Sequence, residues 1–196
     1  GDIIYLECRG SYYFERLNVK LDGLIIGDTL KPKETIQTLM VRKKEINEGI
    51  KWMKEKDQNF NLLDYPIRIV KEEYQENESV GLLRLLGILG IRDVVRAGYD
   101  LLKNDGGNKN RFAELLNQHH HIQQEYLENV TPRMQELILY ARDAGALGCK
   151  LMGSGNGGSF LAYAPTSEEE VMRAINEHGG EAYMVQQDSG LESSSS

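Results

Sequence analysis

Gly153-Ser154-Gly155-Asn156-Gly157-Gly158 puts four glycines in six residues, between two runs with strand character, 148–152 and 159–164. Glycine adopts φ > 0 without steric cost, so such a run bends the chain sharply and lets bare amides approach a ligand. The stretch matches G-x-G-x-x-G, but a dinucleotide fingerprint must open a helix, and 159–164 alternates as a strand does. A Walker A loop fails too, because no Lys-Ser/Thr pair follows Gly158. On the residues alone two readings stay open. The loop either turns a hairpin and nothing more, or it turns its amides toward a phosphate.

The rest of the chain supplies the frame. Residues 3–8, 12–19 and 24–27 alternate like strands and are separated by Arg9-Gly10-Ser11 and Leu21-Asp22-Gly23, which predicts a three-stranded antiparallel meander. From about Lys33 the period becomes helical through Leu39, Ile46, Ile50 and Met53, with the end near Lys56. Asp64 is the expected N-cap of a helix carrying Ile67, Val70 and Tyr74, closed by Glu76-Asn77-Glu78-Ser79. Residues 81–90 are ambiguous because of three glycines, whereas 91–103 reads as a helix. Asn104-Asp105-Gly106-Gly107-Asn108 separates it from a helix running to about Glu128, with Phe112, Leu115, Leu116, His119, Ile122 and Tyr126 inward. Thr131-Pro132 supplies an N-cap and an N1 proline for a helix that Gly145 stops. After the glycine loop come a helix from Ser167 to His178, with Ser167 and Glu170 as a capping box, and a last strand at 181–187. The expected class is α+β, an antiparallel sheet covered by helices on one side.

Composition narrows the function. Lys and Arg total 23 against 30 Asp and Glu, a formal charge of −7, and Arg42-Lys43-Lys44 is followed at once by Glu45 and Glu48. That pattern reads as a solvated helix face and weighs against nucleic acid or a membrane surface as partner. No apolar run approaches the roughly 20 residues a bilayer span needs. Cys8 and Cys149 fit no disulfide framework and no metal-ligand spacing, which suits core thiols in a cytoplasmic protein. The chain opens directly on a strand pattern, with no signal-peptide character expected. His119-His120-His121 cannot chelate one ion from a helix, because adjacent side chains diverge by about 100°. His119 on the apolar stripe reads as a core histidine, with His120 and His121 at the edge or in solvent. Asp28, ending a buried-looking strand beside Thr29, is either a site carboxylate or the cap of the next helix. No catalytic residue and no metal site is assigned.

Residues 145–158, Gly-Ala-Leu-Gly-Cys-Lys-Leu-Met followed by the glycine loop, closely resemble the third signature motif of the galactokinase, homoserine kinase, mevalonate kinase and phosphomevalonate kinase (GHMP) family. Within it the galactokinase branch is the nearer likeness, through Ile4 to Ser11, Ile26-Gly27-Asp28-Thr29, Val41 to Lys44, and the run from His119 through Tyr126 to Pro132. The resemblance implies the family's ferredoxin-like C-terminal domain over 31–192, preceded by a meander at 1–30 left over from an N-terminal domain, with a disordered tail at 193–196.

The same resemblance implies an ATP-dependent phosphotransferase that carries the γ-phosphate to a hydroxyl of a small molecule, a sugar first of all, with Mg²⁺ bridging phosphate oxygens. It implies that Gly153, Ser154, Gly155, Asn156, Gly157 and Gly158 line the phosphates, and that Asp28, Lys31 and Lys33 lie near the cleft. The family's Pro-x-x-x-Gly-Leu-x-Ser-Ser-Ala motif and its catalytic aspartate are not in these residues, so this reading expects ATP and Mg²⁺ to be held mainly by a preceding half. Leu39, Met40 and Val41 stand where galactokinases carry a sugar-contacting tyrosine. That leaves open another sugar, a heptose-type substrate or a mevalonate-like acid. A non-catalytic ligand-binding or regulatory module derived from such a kinase is the alternative reading.

Overall fold

A computed structural model describes residues 3–9, 11–32, 35–104, 106 and 108–188, with the side chains of 8, 9, 11, 12 and 35–38 outside the description. Its core is a four-stranded sheet of β3 (Leu24–Asp28), β4 (Gly148–Leu151), β5 (Ser159–Tyr163) and β6 (Glu181–Val185), in the order β4-β5-β3-β6. Every neighbouring pair is antiparallel. This is the strand order of a ferredoxin-like sheet, with helices α5 (Pro132–Asp143) and α6 (Glu168–Glu177) as its crossovers. The two helices cover one face, where Ile25, Leu137, Ile138, Cys149, Phe160 and Ile175 are fully buried. The other face carries Tyr163, packed against Ala113 and Leu116 of α4 (Lys109–Glu125).

The expected meander is corrected. β1 (Ile3–Arg9) and β2 (Ser11–Leu17) pair only with each other among the described strands, and β3 lies between β5 and β6. Alternation marks 24–28 as a strand but carries no information about its partner. The buried alternate positions of β3 are satisfied by a helix-covered sheet rather than by the hairpin. The hairpin docks on α3 (Val80–Asn104) instead. The Tyr5 ring lies 4.3 Å from that of Tyr99, and the Glu15 carboxylate accepts from the Tyr99 hydroxyl at 2.6 Å and from Lys103 at 2.9 Å. On its other side Ile4, Leu6 and Phe14 are each more than half exposed.

A second core joins α1 (Thr35–Lys56), α2 (Ile67–Asn77) and α3 around Met53, Phe60, Val70, Leu82, Leu85 and Leu89. α3 is one continuous helix, including the ambiguous glycine segment. Gly81 is there because α1 crosses at Gly49, where a side chain would sit 2.1 Å from the Gly81 carbonyl oxygen. One turn on, Arg84 is 3% exposed and its guanidinium is fully engaged. It reaches Glu45 of α1 at 2.9 Å, Glu128 at 2.5 Å and the Tyr126 carbonyl at 2.6 Å. A buried guanidinium persists only when paired in this way.

Helix ends divide between those the sequence marks and those it does not. Thr131 caps α5, its hydroxyl accepting from the Met134 amide at 3.2 Å, with Pro132 in the first turn. Gly145 follows α5 at φ 109°. Asp64 does not cap α2. Pro66 occupies that position, and Asp64 instead accepts from Arg96 at 3.1 Å. Ser167 stands at the α6 N-cap without a side-chain cap bond, its hydroxyl donating to the Gly145 carbonyl at 2.9 Å, so the capping box is not formed. α4 ends at Glu125 rather than near Glu128, which frees 126–131 as the connection that meets the glycine loop.

Candidate functional site

Residues 152–158 join β4 to β5, and a strand, not a helix, follows Gly158. Gly153, Gly155, Asn156, Gly157 and Gly158 all have positive φ, at 73°, 81°, 56°, 114° and 74°. Two of these glycines are required twice over. A Cβ at Gly155 would meet the Asn129 carbonyl oxygen at 2.3 Å, and one at Gly157 would meet the Pro32 carbonyl oxygen at 2.7 Å. Conformation and close approach both exclude a side chain there.

Two neighbouring segments clamp the curl. From the α4–α5 connection, the Asn129 carbonyl accepts from the Asn156 amide at 2.8 Å and the Asn129 side-chain amide donates to the Ser154 carbonyl at 3.1 Å. From the segment after β3, Lys31 accepts from the Gly158 amide at 3.3 Å, while the Thr29 amide and hydroxyl donate to the Gly158 carbonyl at 3.0 and 2.7 Å. Thr29 is 1% exposed and Asn129 8%. Among the described residues, the amides of Gly153, Ser154, Gly155 and Gly157 donate to no protein acceptor. Successive amides freed by left-handed backbone form the kind of concavity that suits an anion.

The other expected site residues divide. Asp28 pairs in register with Ser159, next to the end of the loop, but its carboxylate accepts from the Leu30 amide at 2.8 Å. It closes a turn in which Leu30 takes φ 54°, and it does not cap α1, which begins at Thr35. Lys31 reaches the loop through its main chain, with its side chain exposed. Lys33 lies outside the described residues. Asn129 and Thr29, which hold the loop, were missed. The available signal was their position: each immediately adjoins a segment that must change direction.

The histidine assignment is shifted by one residue. His120, not His119, is the fully buried one, at 2% exposure. Its Nδ1 accepts from the Leu151 amide at 3.3 Å and its Nε2 meets Gln135 at 3.0 Å, so Nε2 carries the proton. Asn117, one turn earlier, accepts from the Cys149 amide at 3.0 Å and donates to the Leu147 carbonyl at 3.0 Å. α4 thus closes the outer edge of β4 with polar side chains, which an apolar-stripe argument cannot anticipate. His119 is half-buried beside Gln123, and burial, aided by Lys150, pushes its pKa down to about 4. His121 is exposed along a groove of about 800 Å³ between α2, α3 and α4, whose lining includes none of the loop residues. Among the described residues no group of three or more His, Cys, Asp or Glu side chains converges as a metal site would.

Residues 99–181 match the family model described as GHMP kinases C terminal. Over 117 residues, 58% of the chain, the sequence is 34% identical to the mevalonate kinase of Thermococcus onnurineus, and the match covers 34% of that protein. The mevalonate kinase of Pyrococcus furiosus is 32% identical over 117 residues, again 34% of its length. The matched region thus spans about a third of these curated relatives. In fold, 90% of the chain superposes on 48% of Lactococcus lactis galactokinase, solved with galactose, at a TM-score of 0.77 and 19% identity. For the mevalonate kinase of L. major, solved with R-mevalonate, 91% of the chain covers 44% of that structure at a TM-score of 0.58 and 16% identity. The galactokinase likeness is therefore one of fold, and the named sequence relatives are mevalonate kinases. Motif, strand order and family model point the same way: residues 99–181 match the GHMP kinase C-terminal model, and β3 joins them in a sheet of ferredoxin-like order.

Proposed function

We propose that this chain is the C-terminal portion of an ATP-dependent small-molecule kinase, with the glycine loop presenting amides to the nucleotide's phosphates. The observation that carries the reading is the loop from Gly153 to Gly158, left-handed at every residue but Ser154, clamped from both sides and with four amides that have no protein acceptor among the described residues. In phosphoryl transfer the protein's contribution is mainly positioning and charge stabilisation, which rigid amides supply without reorganising. Among the described residues no group of three or more carboxylate, His or Cys side chains converges at the loop, and the Asp28 carboxylate accepts from the Leu30 amide in a turn. The ion and the catalytic base would be supplied elsewhere in the complete protein.

The acceptor is a hydroxyl of a small molecule. The fold of galactokinase favours a sugar, and the sequence relatives favour mevalonate. The test is to incubate the complete protein with ATP and Mg²⁺ against sugars, heptoses, polyols and mevalonate, and to detect the phosphorylated product. One acceptor is expected to turn over, and the isolated chain is expected to phosphorylate none. Nucleotide binding with no acceptor in the panel turned over would favour a non-catalytic binding module instead, and absence of both would refute the reading.

A further inference from the structure

The glycine loop is folded against Asn129, whose own amide is tied back to α4 by one long bond, donating to the Gln123 carbonyl at 3.3 Å. It belongs to a connection between α4 and α5, and Glu128, immediately before it, adopts φ 47°. A left-handed non-glycine residue costs roughly 1–3 kcal/mol and persists only where its surroundings fix it. Those surroundings are two arginines. Arg84 donates to the Glu128 carboxylate at 2.5 Å and to the Tyr126 carbonyl at 2.6 Å, bracketing the segment. Arg42 of α1 donates to the Glu128 carbonyl at 3.3 Å and reaches its carboxylate at 3.5 Å. Glu45 ties the two arginines together, at 2.7 Å from Arg42 and 2.9 Å from Arg84. Burial of Arg84 at the α1–α3 crossing gives the arrangement a rigid base.

We propose that Arg84 is a positioning residue for the glycine loop: by holding Tyr126 and Glu128 it fixes the main chain of Asn129, against which Ser154, Gly155 and Asn156 are folded. The functional half of this inference rests on the loop facing nucleotide. The mechanical half does not. A buried cation in one helical layer thereby sets the conformation of a loop in the sheet layer, through a single strained turn.

The test uses Arg84→Lys, which keeps the charge and loses the fork, and Glu128→Gln, whose half-exposed side chain makes it tolerant of change. Asn129→Ala, which deletes the bond to Ser154, is the direct comparison. Amide hydrogen exchange is read on the complete protein at the loop amides that have protein acceptors, Asn156 and Gly158, with α5 and α6 as internal reference. All three variants are expected to exchange about ten-fold faster in the loop with the reference unchanged, and to raise the nucleotide KM several-fold with a smaller effect on kcat. Loop exchange unchanged in both Glu128→Gln and Arg84→Lys would overturn the proposal. Faster loop exchange with nucleotide KM unchanged would support the mechanical link and overturn the reading that the loop faces nucleotide. Should Arg84→Lys fail to fold, Glu128→Gln decides alone.

Discussion

Replacing Gly49 by alanine should separate α1 from α3, and the size of the effect can be worked from the crossing. The new Cβ would lie 2.1 Å from the Gly81 carbonyl oxygen and 2.6 Å from its carbon, both main-chain atoms that cannot rotate away. Comfortable non-bonded contact needs about 3.5 Å, so the helices must part by roughly 1 Å. Overpacking of this kind costs about 1–3 kcal/mol, occasionally more. Alanine returns about 1 kcal/mol of helix propensity, which leaves a net loss of about 2 kcal/mol if the overpacking falls at the upper end. For a chain of this length each kcal/mol moves Tm by about 2–4 °C, so a fall of about 4–8 °C is expected. Gly98, in the same helix as Gly81, has nothing within 4 Å of an added Cβ. There the propensity gain acts alone, and Gly98→Ala should raise Tm by about 2–4 °C. Gly81→Ala, whose Cβ would lie 2.8 Å from the Gly49 amide nitrogen, should fall between Gly49→Ala and the parent. Thermal unfolding of the three variants side by side checks the order. A Gly49→Ala protein as stable as Gly98→Ala would refute a backbone-to-backbone crossing at these glycines.

On the proposed function, Gly155→Val and Gly157→Val should each impair nucleotide use by the complete protein more than they impair folding, since both positions combine positive φ with main-chain contact. Kinetics normalised to folded protein, beside Tm, separates the two effects, and a collapsed Tm with normal activity per folded molecule would make the loop a structural turn only. Stability should also fall as pH drops from 7 to 5. His119 has a folded pKa near 4, below its ordinary 6.5, so the unfolded chain binds the extra proton first and the stabilisation present above pH 6.5 is lost on acidification. Between pH 6.5 and 5 this is worth at most about 2 kcal/mol. Urea titrations of His119→Gln should show a flatter dependence over that window, and an unchanged slope would place the proton elsewhere.

What the sequence discloses here is local. The Thr131-Pro132 start, the Gly145 stop and the strand–loop–strand at 148–164 each depend on residues within a few positions, and each is found where the chain announces it. The partner of β3 depends on residues far along the chain, so adjacency suggested the hairpin and the sheet took it instead. The glycines of α3 lowered the helical signal although they serve packing, because what needs them small is distant in sequence: Gly49 of α1 for Gly81, Tyr126 and Leu127 for Gly87, and Ile122 for Gly90. In α4 the apolar stripe and the buried face differ by a residue, since Asn117 and His120 are turned inward to pair with a strand edge. At the candidate site the glycines were legible and their holders were not. Asn129, Thr29 and Arg84 are unremarkable by type, and only the fold brings them to the loop or to the turn beside it.

The central position of β3 has a consequence for how the chain is made. During synthesis Leu24 to Asp28 leave the ribosome well over a hundred residues ahead of their two partners, 159–163 and 181–185. Until then a strand whose both edges will be interior has no native neighbour on either side. Helices α1 to α4 can assemble in the meantime from shorter-range contacts, while the sheet waits on closure of the long segment between β3 and β5. Gln187 completes that closure, its side chain bonding the Leu21 amide at 3.0 Å and the Val19 carbonyl at 3.1 Å just ahead of β3. Nascent chains halted before β5 would carry β3 with neither neighbour in place, an unpaired apolar strand of the kind that promotes association during folding.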